Sequence, residues 1–174
     1  MRKSPVIAGG LAGLAILLVL LLPDSDGEPL PAGTTADRVV VEKSRHTLTL
    51  YKGELPLRSY EVSLGRGGLA PKRREGDALT PEGAYRISGR NPDSAYHLSL
   101  RISYPDARDI AAAKARGEDP GSDIMIHGIR NGLGWLGRLH RYADWTAGCV
   151  AVTNREVEEI WRAVPDGTPV ELLP

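Results

Sequence analysis

Short runs of β-branched and apolar residues, separated by turn residues, predict β-strands along the chain after residue 37. Residues 38–42 and 47–51 form the first two runs, Lys52-Gly53 supplies a turn, and residues 57–64 return as a third strand. Strands joined in succession by short connections favour a β-meander at the start of the domain. Further strands are predicted at residues 84–88, 96–103, 123–127, 150–152 and 168–172.

Two segments have the spacing of helices rather than strands. Residues 106–116 are rich in alanine, and Gly117 ends that helix. The second helix is predicted to begin at Asn154 as its N-cap. Its single apolar stripe consists of Val157, Ile160, Trp161 and Val164. Together with a glycine-rich loop at residues 65–76, the pattern predicts a mainly β domain, sandwich- or barrel-like, with a few short helices.

The first 22 residues have the pattern of a membrane segment. Arg2 and Lys3 precede residues 6–22, which carry no charge and suit either an uncleaved anchor or an export signal. Cationic residues favour the cytoplasmic side, so the rest of the chain is expected outside the cytoplasm, on the cell-wall side of the membrane. We therefore divide the chain into a membrane-contacting segment at residues 1–22, a linker at 23–37 and a domain at 38–174.

Composition excludes several classes of function. Lys+Arg and Asp+Glu both number 22, and this balance argues against a nucleic-acid partner. One cysteine cannot form an intramolecular disulfide, and with four histidines it shows no metal-ligand spacing, so no metal is expected. A lone thiol is either a small buried apolar group or a nucleophile, and its number alone favours burial.

The residues around the cysteine change that balance. Cys149 follows Gly148, a residue that lets backbone N–H groups converge beside the sulfur. A thiol attacks carbonyl groups only as thiolate, so it requires a base, and histidine is the side chain suited to that role. His127, followed by Gly128, stands at the end of a predicted strand, and His140 is the rival base.

These residues also resemble a known family. His127-Gly128 followed by Thr146-x-Gly148-Cys149-Val150 is similar to the signature of the L,D-transpeptidase catalytic domain of YkuD type. Thr80-Pro81-Glu82-Gly83 resembles the upstream motif of that family, and the wider set resembles its YafK-like periplasmic branch. The resemblance extends over about residues 38–173, nearly all of the predicted domain.

The resemblance implies a role for each matching residue. Cys149 would be the nucleophile, His127 its base, and the Gly128 carbonyl would orient the imidazole. Backbone N–H groups of Gly148 and Cys149, with Ala147 as a further candidate, would form the oxyanion hole, and Thr146 would shape the loop. The expected walls of a substrate cleft are Trp135, His140, Arg141 and Trp145.

One departure from the family concerns recognition of a carboxylate. Many members have arginine two residues after the cysteine, where this chain has Ala151. The candidates for a substitute positive charge are Lys72, Arg73, Arg74 and Arg141.

The implied activity is acyl transfer on the stem peptide of peptidoglycan, through a thioester at the third, diamino acid residue. An amine acceptor would give a cross-link and water would give hydrolysis, including release of a wall-linked lipoprotein, and both outcomes stay open. The competing class is a non-catalytic peptidoglycan-binding module, which would not need both His127 and Cys149. No cofactor is required.

Overall fold

The computed structural model describes residues 28–174. The predicted membrane segment at residues 1–22 and the first part of the linker lie outside the described residues. Within residues 28–174, no helix is long and apolar enough to cross a membrane.

Eight strands make up the single sheet that residues 28–174 form. In chain order they are β1 (Arg38–Glu42), β2 (Thr47–Lys52), β3 (Leu55–Glu61), β4 (Gly83–Ser94), β5 (His97–Ile102), β6 (Met125–His127), β7 (Val150–Ala151) and β8 (Pro169–Leu173). The helices are α1 (Ala107–Ala115) and α2 (Asn154–Ala163), with 3₁₀ segments at Lys43–Arg45 and Gly134–Tyr142.

The order of the strands in the sheet is β3-β2-β1-β8-β4-β5-β6-β7. The first three strands form the expected antiparallel meander. Strand β8 then lies between β1 and β4, parallel to the former and antiparallel to the latter. The predicted mainly β architecture is therefore confirmed.

The two edges of this sheet meet beyond the end of β3. Ser63 pairs with Ala151 of β7, and Gly65 pairs with Thr146 just before that strand. These two bridges bring the chain after one edge strand against the opposite edge strand. The sheet is thereby closed in the manner of a small barrel, which leaves fewer unpaired backbone groups at its edges.

The interior is filled by aliphatic side chains and a few tyrosines, and α2 contributes the predicted stripe. Val157, Ile160 and Val164 are fully buried, and Trp161 packs at the margin of the core. Complete burial of each such aliphatic side chain stabilises the fold by about 1.5–3 kcal/mol. The helix is thus held against the sheet by the face that its 3.6-residue spacing indicated.

The predicted N-cap of α2 is wrong by one residue. Thr153 is the cap: its hydroxyl accepts a hydrogen bond from the Glu156 N–H at 3.3 Å, and the Glu156 carboxylate accepts one from the Thr153 N–H at 2.8 Å. Asn154 instead accepts a hydrogen bond from the Ile129 N–H at 2.8 Å. Both residue types cap helices well, and the reciprocal bond to Glu156 favours the threonine.

Other elements also differ from the predicted ones. β4 continues to Ser94 through two irregularities in its pairing with β5. β6 begins only at Met125, because Asp123 has a φ of 59°, which does not fit a strand. The 3₁₀ segment Gly134–Tyr142 was not predicted, and Gly137 divides it by its positive φ.

Candidate active site

Parallel pairing of β6 with β7 brings the predicted nucleophile and base together. Ile126 pairs with Val150 and His127 with Ala151. By this register Cys149 lies beside Met125. The side chains of Met125 and His127 are two residues apart and therefore lie on the same face of β6. Cys149 and His127 both line a cavity of about 330 Å³.

The His127 imidazole has a defined tautomer. Its ring is buried, and Nδ1 lies 2.6 Å from the Gly128 carbonyl oxygen, which can only accept a hydrogen bond. Nδ1 therefore carries the proton, and Nε2 keeps its lone pair. Burial lowers the pKa of His127, and the bond to Gly128 opposes this shift. The ring is a neutral base at neutral pH.

The Cys149 thiol is also neutral at rest. Burial raises its pKa, and the nearby Asp123 carboxylate acts in the same direction, although the Met125 N–H opposes them. The sulfur lies 3.5 Å from the Asp123 carbonyl oxygen, to which the thiol donates. The pair therefore consists of a thiol and a neutral imidazole, and not of a thiolate and an imidazolium.

The turn before the cysteine requires a glycine. Gly148 has a φ of 134°, and a Cβ there would lie 2.6 Å from the Leu79 carbonyl oxygen. The Thr146 hydroxyl accepts a hydrogen bond from the Gly148 N–H at 3.1 Å and donates to the Cys149 carbonyl at 2.8 Å. The Gly148 N–H is thus already bonded. The N–H groups of Ala147 and Cys149 donate to no group within residues 28–174.

An aspartate fixes the loop that carries the nucleophile. One Asp144 carboxylate oxygen accepts a hydrogen bond from the Leu64 N–H at 2.7 Å, and the other lies 3.0 Å from His46 Nε2. The Thr146 N–H also donates to the Leu64 carbonyl at 3.1 Å. The loop is therefore bonded to the segment that closes the sheet.

The upstream motif Thr80-Pro81-Glu82-Gly83 bonds to the same closing segment, at Gly65. The Thr80 hydroxyl accepts a hydrogen bond from the Gly65 N–H at 3.0 Å, and the Thr80 carbonyl accepts one from Lys43 Nζ at 3.0 Å. Lys43 is fully buried and forms an ion pair with Glu82 at 2.8 Å. In this structure the motif therefore has an architectural role, since its polar groups are satisfied by the chain itself.

Aromatic rings form one wall of the cavity. Tyr96 and Trp145 line it together with His127, with ring centroids 4.6 and 5.7 Å from the imidazole. Trp145 Nε1 donates to His140 Nδ1 at 3.3 Å. His140 itself lies behind this wall, where burial and then the charge of Arg141 lower its pKa to about 4. It is neutral and supports Trp145.

The other proposed cleft residues are not brought together with the pair. Trp135 is 67% exposed and does not line the cavity. Arg141 is 11% exposed, and its guanidinium binds the Glu156 carboxylate at 2.5 and 2.6 Å. That Trp135 and Arg141 form walls of the cleft stays a prediction. The exposure of Trp135 and the ion pair of Arg141 do not favour it.

The remaining basic candidates also lie outside the cavity lining. Lys72 is almost fully buried and bonds Asp77 at 2.8 Å. Arg74 faces Glu118 at 3.8 Å, and Arg73 lies in the same exposed turn. The cation that does line the cavity is Arg66, which the sequence analysis did not single out. Nothing in the sequence pattern distinguishes Arg66 from other loop arginines, because its place in the cavity depends on tertiary contacts.

No metal site accompanies the pair. Within residues 28–174, no group of three or more His, Cys, Asp or Glu side chains is arranged to hold a metal ion. The cavity holds a thiol beside a neutral imidazole, together with backbone N–H donors. Such a set suits nucleophilic acyl transfer.

The sequence of the chain matches a protein-family model over most of residues 28–174 and also matches a known relative. The family model described as YkuD, L,D-transpeptidase catalytic domain, matches residues 36–172. The chain is 34% identical over 132 residues to the Escherichia coli (strain K12) protein named "Putative L,D-transpeptidase YafK". That match covers 72% of this chain and 46% of the relative, so the chain spans less than half of the relative's length.

Solved structures share the fold. Pgp2 of Campylobacter jejuni, a helical cell shape determining protein, has a TM-score of 0.59 at 24% identity, over 88% of this chain and 54% of that one. The Xylanimonas cellulosilytica L,D-transpeptidase has a TM-score of 0.52 at 19% identity, over 84% and 64% of the two chains. At such identities the likeness concerns the fold alone.

Proposed function

Because the chain belongs to the L,D-transpeptidase catalytic domain (YkuD) family, we propose that it is a cysteine acyltransferase that acts on peptidoglycan stem peptides. The observation that carries the proposal is the placement of Cys149 and His127 in one cavity, with the imidazole held by Gly128 as a neutral base. A module that only bound peptidoglycan would not need this arrangement.

The first half-reaction forms a thioester. The Cys149 sulfur attacks the carbonyl carbon of the third stem residue while its proton passes to His127 Nε2. The N–H groups of Cys149 and Ala147 donate to the oxyanion, a contribution of about 3–4 kcal/mol per donor in known cases. Collapse of the intermediate breaks the bond to the fourth residue, whose amine leaves with the proton from His127.

The bond between His127 and Gly128 gains importance during this step. The imidazole becomes charged when it accepts the thiol proton, and the buried ring has few other groups to stabilise that charge. The Gly128 carbonyl, 2.6 Å from Nδ1, then accepts a charge-assisted hydrogen bond. The Gly128 carbonyl thus orients and stabilises the imidazolium, as a carboxylate does in other catalytic triads.

The second half-reaction regenerates the thiol. An acceptor amine attacks the thioester carbonyl, loses its proton to His127 and forms a new amide cross-link. Water follows the same path to a carboxylate, so the protein would act as a hydrolase that releases a D-amino acid or a wall-linked lipoprotein. Which outcome occurs depends on whether an amine acceptor can reach the thioester in the cavity.

The same proposal includes a place in the cell. Residues 6–22 would anchor the domain to the inner membrane or direct its export, so that the cavity meets peptidoglycan in the periplasm. Its activity there would belong to cell-wall remodelling.

The test uses the full chain and purified disaccharide-tetrapeptide, with products followed by mass spectrometry. Wild type is expected to remove the terminal residue, giving dimers if an amine accepts the acyl group and shortened stems if water does. Cys149→Ala should lower the rate by at least about 1,000-fold, because the nucleophile is lost. Equal products from wild type and Cys149→Ala would contradict the proposal.

A matched control separates chemistry from folding. Cys149→Ser keeps the shape of the side chain but has a far less acidic nucleophile, so it should also be inactive. All three proteins should unfold at the same urea concentration. A large shift in that midpoint for Cys149→Ala would mean that the cysteine is a packing residue.

A further inference from the structure

Arg66 is the cation in the cavity lining that has no ion pair with any of residues 28–174. It lines the cavity together with Cys149 and His127. Resting on the proposed function, we infer that Arg66 binds a free carboxylate of the stem peptide and so positions the donor peptide for attack. This role falls to none of the four basic residues that the sequence suggested.

The backbone of Arg66 is held firmly on both sides. Its N–H donates to the Thr146 carbonyl at 3.0 Å, so it is bonded directly to the nucleophile's loop. The neighbouring Gly67 N–H donates to the Ala78 carbonyl at 2.9 Å. A Cβ at Gly65 would overlap the Ala78 carbonyl, and the space at Gly67 is equally closed. The start of the side chain is therefore fixed relative to Cys149.

The guanidinium of Arg66 remains available. The residue is exposed, and its side chain has no hydrogen bond or ion pair within residues 28–174. The carboxylate on the cavity wall, Asp123, is paired with Arg101 at 2.8 Å. The positive charge of Arg66 is thus not neutralised by its surroundings, and an anionic ligand is the complement that the cavity lacks.

A second group in the cavity also lacks a partner. The Ser99 hydroxyl is buried and makes no hydrogen bond within the described residues, although Ser99 lines the cavity. Ser99 pairs with His127 across β5 and β6, so its hydroxyl lies on the floor beside the base. A buried hydroxyl without a partner destabilises the protein, and a polar ligand that bonded it would recover this loss.

A carboxylate matches this arrangement better than a neutral amide. Guanidinium and carboxylate groups form two parallel hydrogen bonds in one plane, which fixes orientation as well as affinity. The position used for arginine in many members of the family is closed here, because Ala151 is fully buried. The stem peptide offers two such groups: the side-chain carboxylate of the diamino acid and the terminal carboxylate of the fourth residue.

Kinetics with amidated peptides tests the inference and identifies the carboxylate. The substrates are the tetrapeptide, its side-chain amide and its C-terminal amide, and the proteins are wild type, Arg66→Ala, Arg66→Lys and the exposed control Arg73→Ala. Arg66→Ala should raise KM for the unmodified peptide by about 10- to 100-fold, with a smaller change in kcat. Arg66→Lys should recover part of the loss, and Arg73→Ala should match wild type.

The two amides show which carboxylate Arg66 binds, because the effects of Arg66→Ala and of amidation at that carboxylate should not add. Wild type should lose affinity for the amide of the carboxylate that Arg66 binds, and Arg66→Ala should lose nothing further on that substrate. A KM for Arg66→Ala within about twofold of wild type, or the same penalty on all three substrates, would overturn the inference.

Binding to an inactive protein keeps the two proposals distinguishable. Calorimetry with the unmodified tetrapeptide would compare Cys149→Ala with the double variant Cys149→Ala/Arg66→Ala. Binding that is at least about 10-fold weaker in the double variant supports the role of Arg66 even if wild type shows no turnover. Turnover by wild type together with equal binding of both variants would refute Arg66 alone and leave the proposed function intact.

Discussion

At the scale of single residues, the site is organised around two neutral groups. Burial moves the pKa of the Cys149 thiol up and that of the His127 imidazole down, so their charged forms are both disfavoured at rest. The hydrogen bond from Nδ1 to Gly128 nevertheless leaves the lone pair on Nε2, which can therefore accept a proton. The proton therefore moves during attack, and not before it.

This pairing predicts a particular pH dependence for the thiol. The rate of alkylation of Cys149 by iodoacetamide should rise steadily with pH through the neutral range and beyond the ordinary thiol pKa, because burial raises the pKa of Cys149 and the thiolate appears late. The measurement is labelling by mass spectrometry from pH 5 to pH 10. A plateau of high reactivity between pH 5 and pH 8 would instead reveal a preformed thiolate and contradict the neutral pair.

At the scale of elements, one helix end is tied to the 3₁₀ segment beside the site. Glu156 completes the capping of α2 through Thr153 and also forms an ion pair with Arg141. Both partners of this pair are 11% exposed, so the loss of either leaves a poorly hydrated charge. Arg141 therefore contributes to the structure, and its side chain is not free for substrate.

Arg141→Leu should accordingly destabilise the protein by about 3 kcal/mol, because Glu156 would keep a buried and unpaired carboxylate. The free energy of unfolding from urea titration measures this effect. The exposed Arg130→Leu, which removes the same charge elsewhere, should change that free energy by less than about 0.5 kcal/mol. A stable Arg141→Leu with a raised KM would instead make Arg141 a substrate ligand.

At the scale of the whole molecule, the contact between the two sheet edges determines where the nucleophile stands. Ser63 and Ala151 exchange backbone hydrogen bonds of 2.8 and 2.9 Å, and the Val152 N–H donates to the His127 carbonyl at 3.0 Å. β7 is thus held on both sides, and Cys149 immediately precedes it. Closure of the sheet and assembly of the site are the same structural event.

A substitution at this closure should therefore affect the entire fold. Ala151→Arg, which restores the residue common in the family, places a long charged side chain at a fully buried position and should destabilise the protein by at least about 3 kcal/mol. Urea titration would measure the loss, with Ala112→Arg on the exposed face of α1 as the control that should not change stability. An Ala151→Arg protein as stable as wild type would mean that the backbone around the Ser63–Ala151 bridge adjusts to the larger side chain.

The sequence predicted the strands well where apolar runs coincide with burial, as in β1, β2 and β5. It also indicated Cys149 and His127, through the glycines beside them and the resemblance to the family signature, and both residues line one cavity. It did not reveal Arg66, since an exposed arginine between glycines in a loop looks like any other until tertiary contacts bring its backbone against Thr146. The occupied Gly148 N–H was hidden for the same reason: it depends on the rotamer of a neighbouring hydroxyl.

The central position of β8 has a consequence for the timing of synthesis. Residues 169–173 lie between β1 and β4, so neither of these strands has all its backbone partners until residues 169–173 have left the ribosome. Until then the meander meets the strands that carry His127 and Cys149 only through the bridges Ser63–Ala151 and Gly65–Thr146. A polypeptide whose β8 has not yet emerged would thus carry its thiol on an incomplete sheet, without a working site.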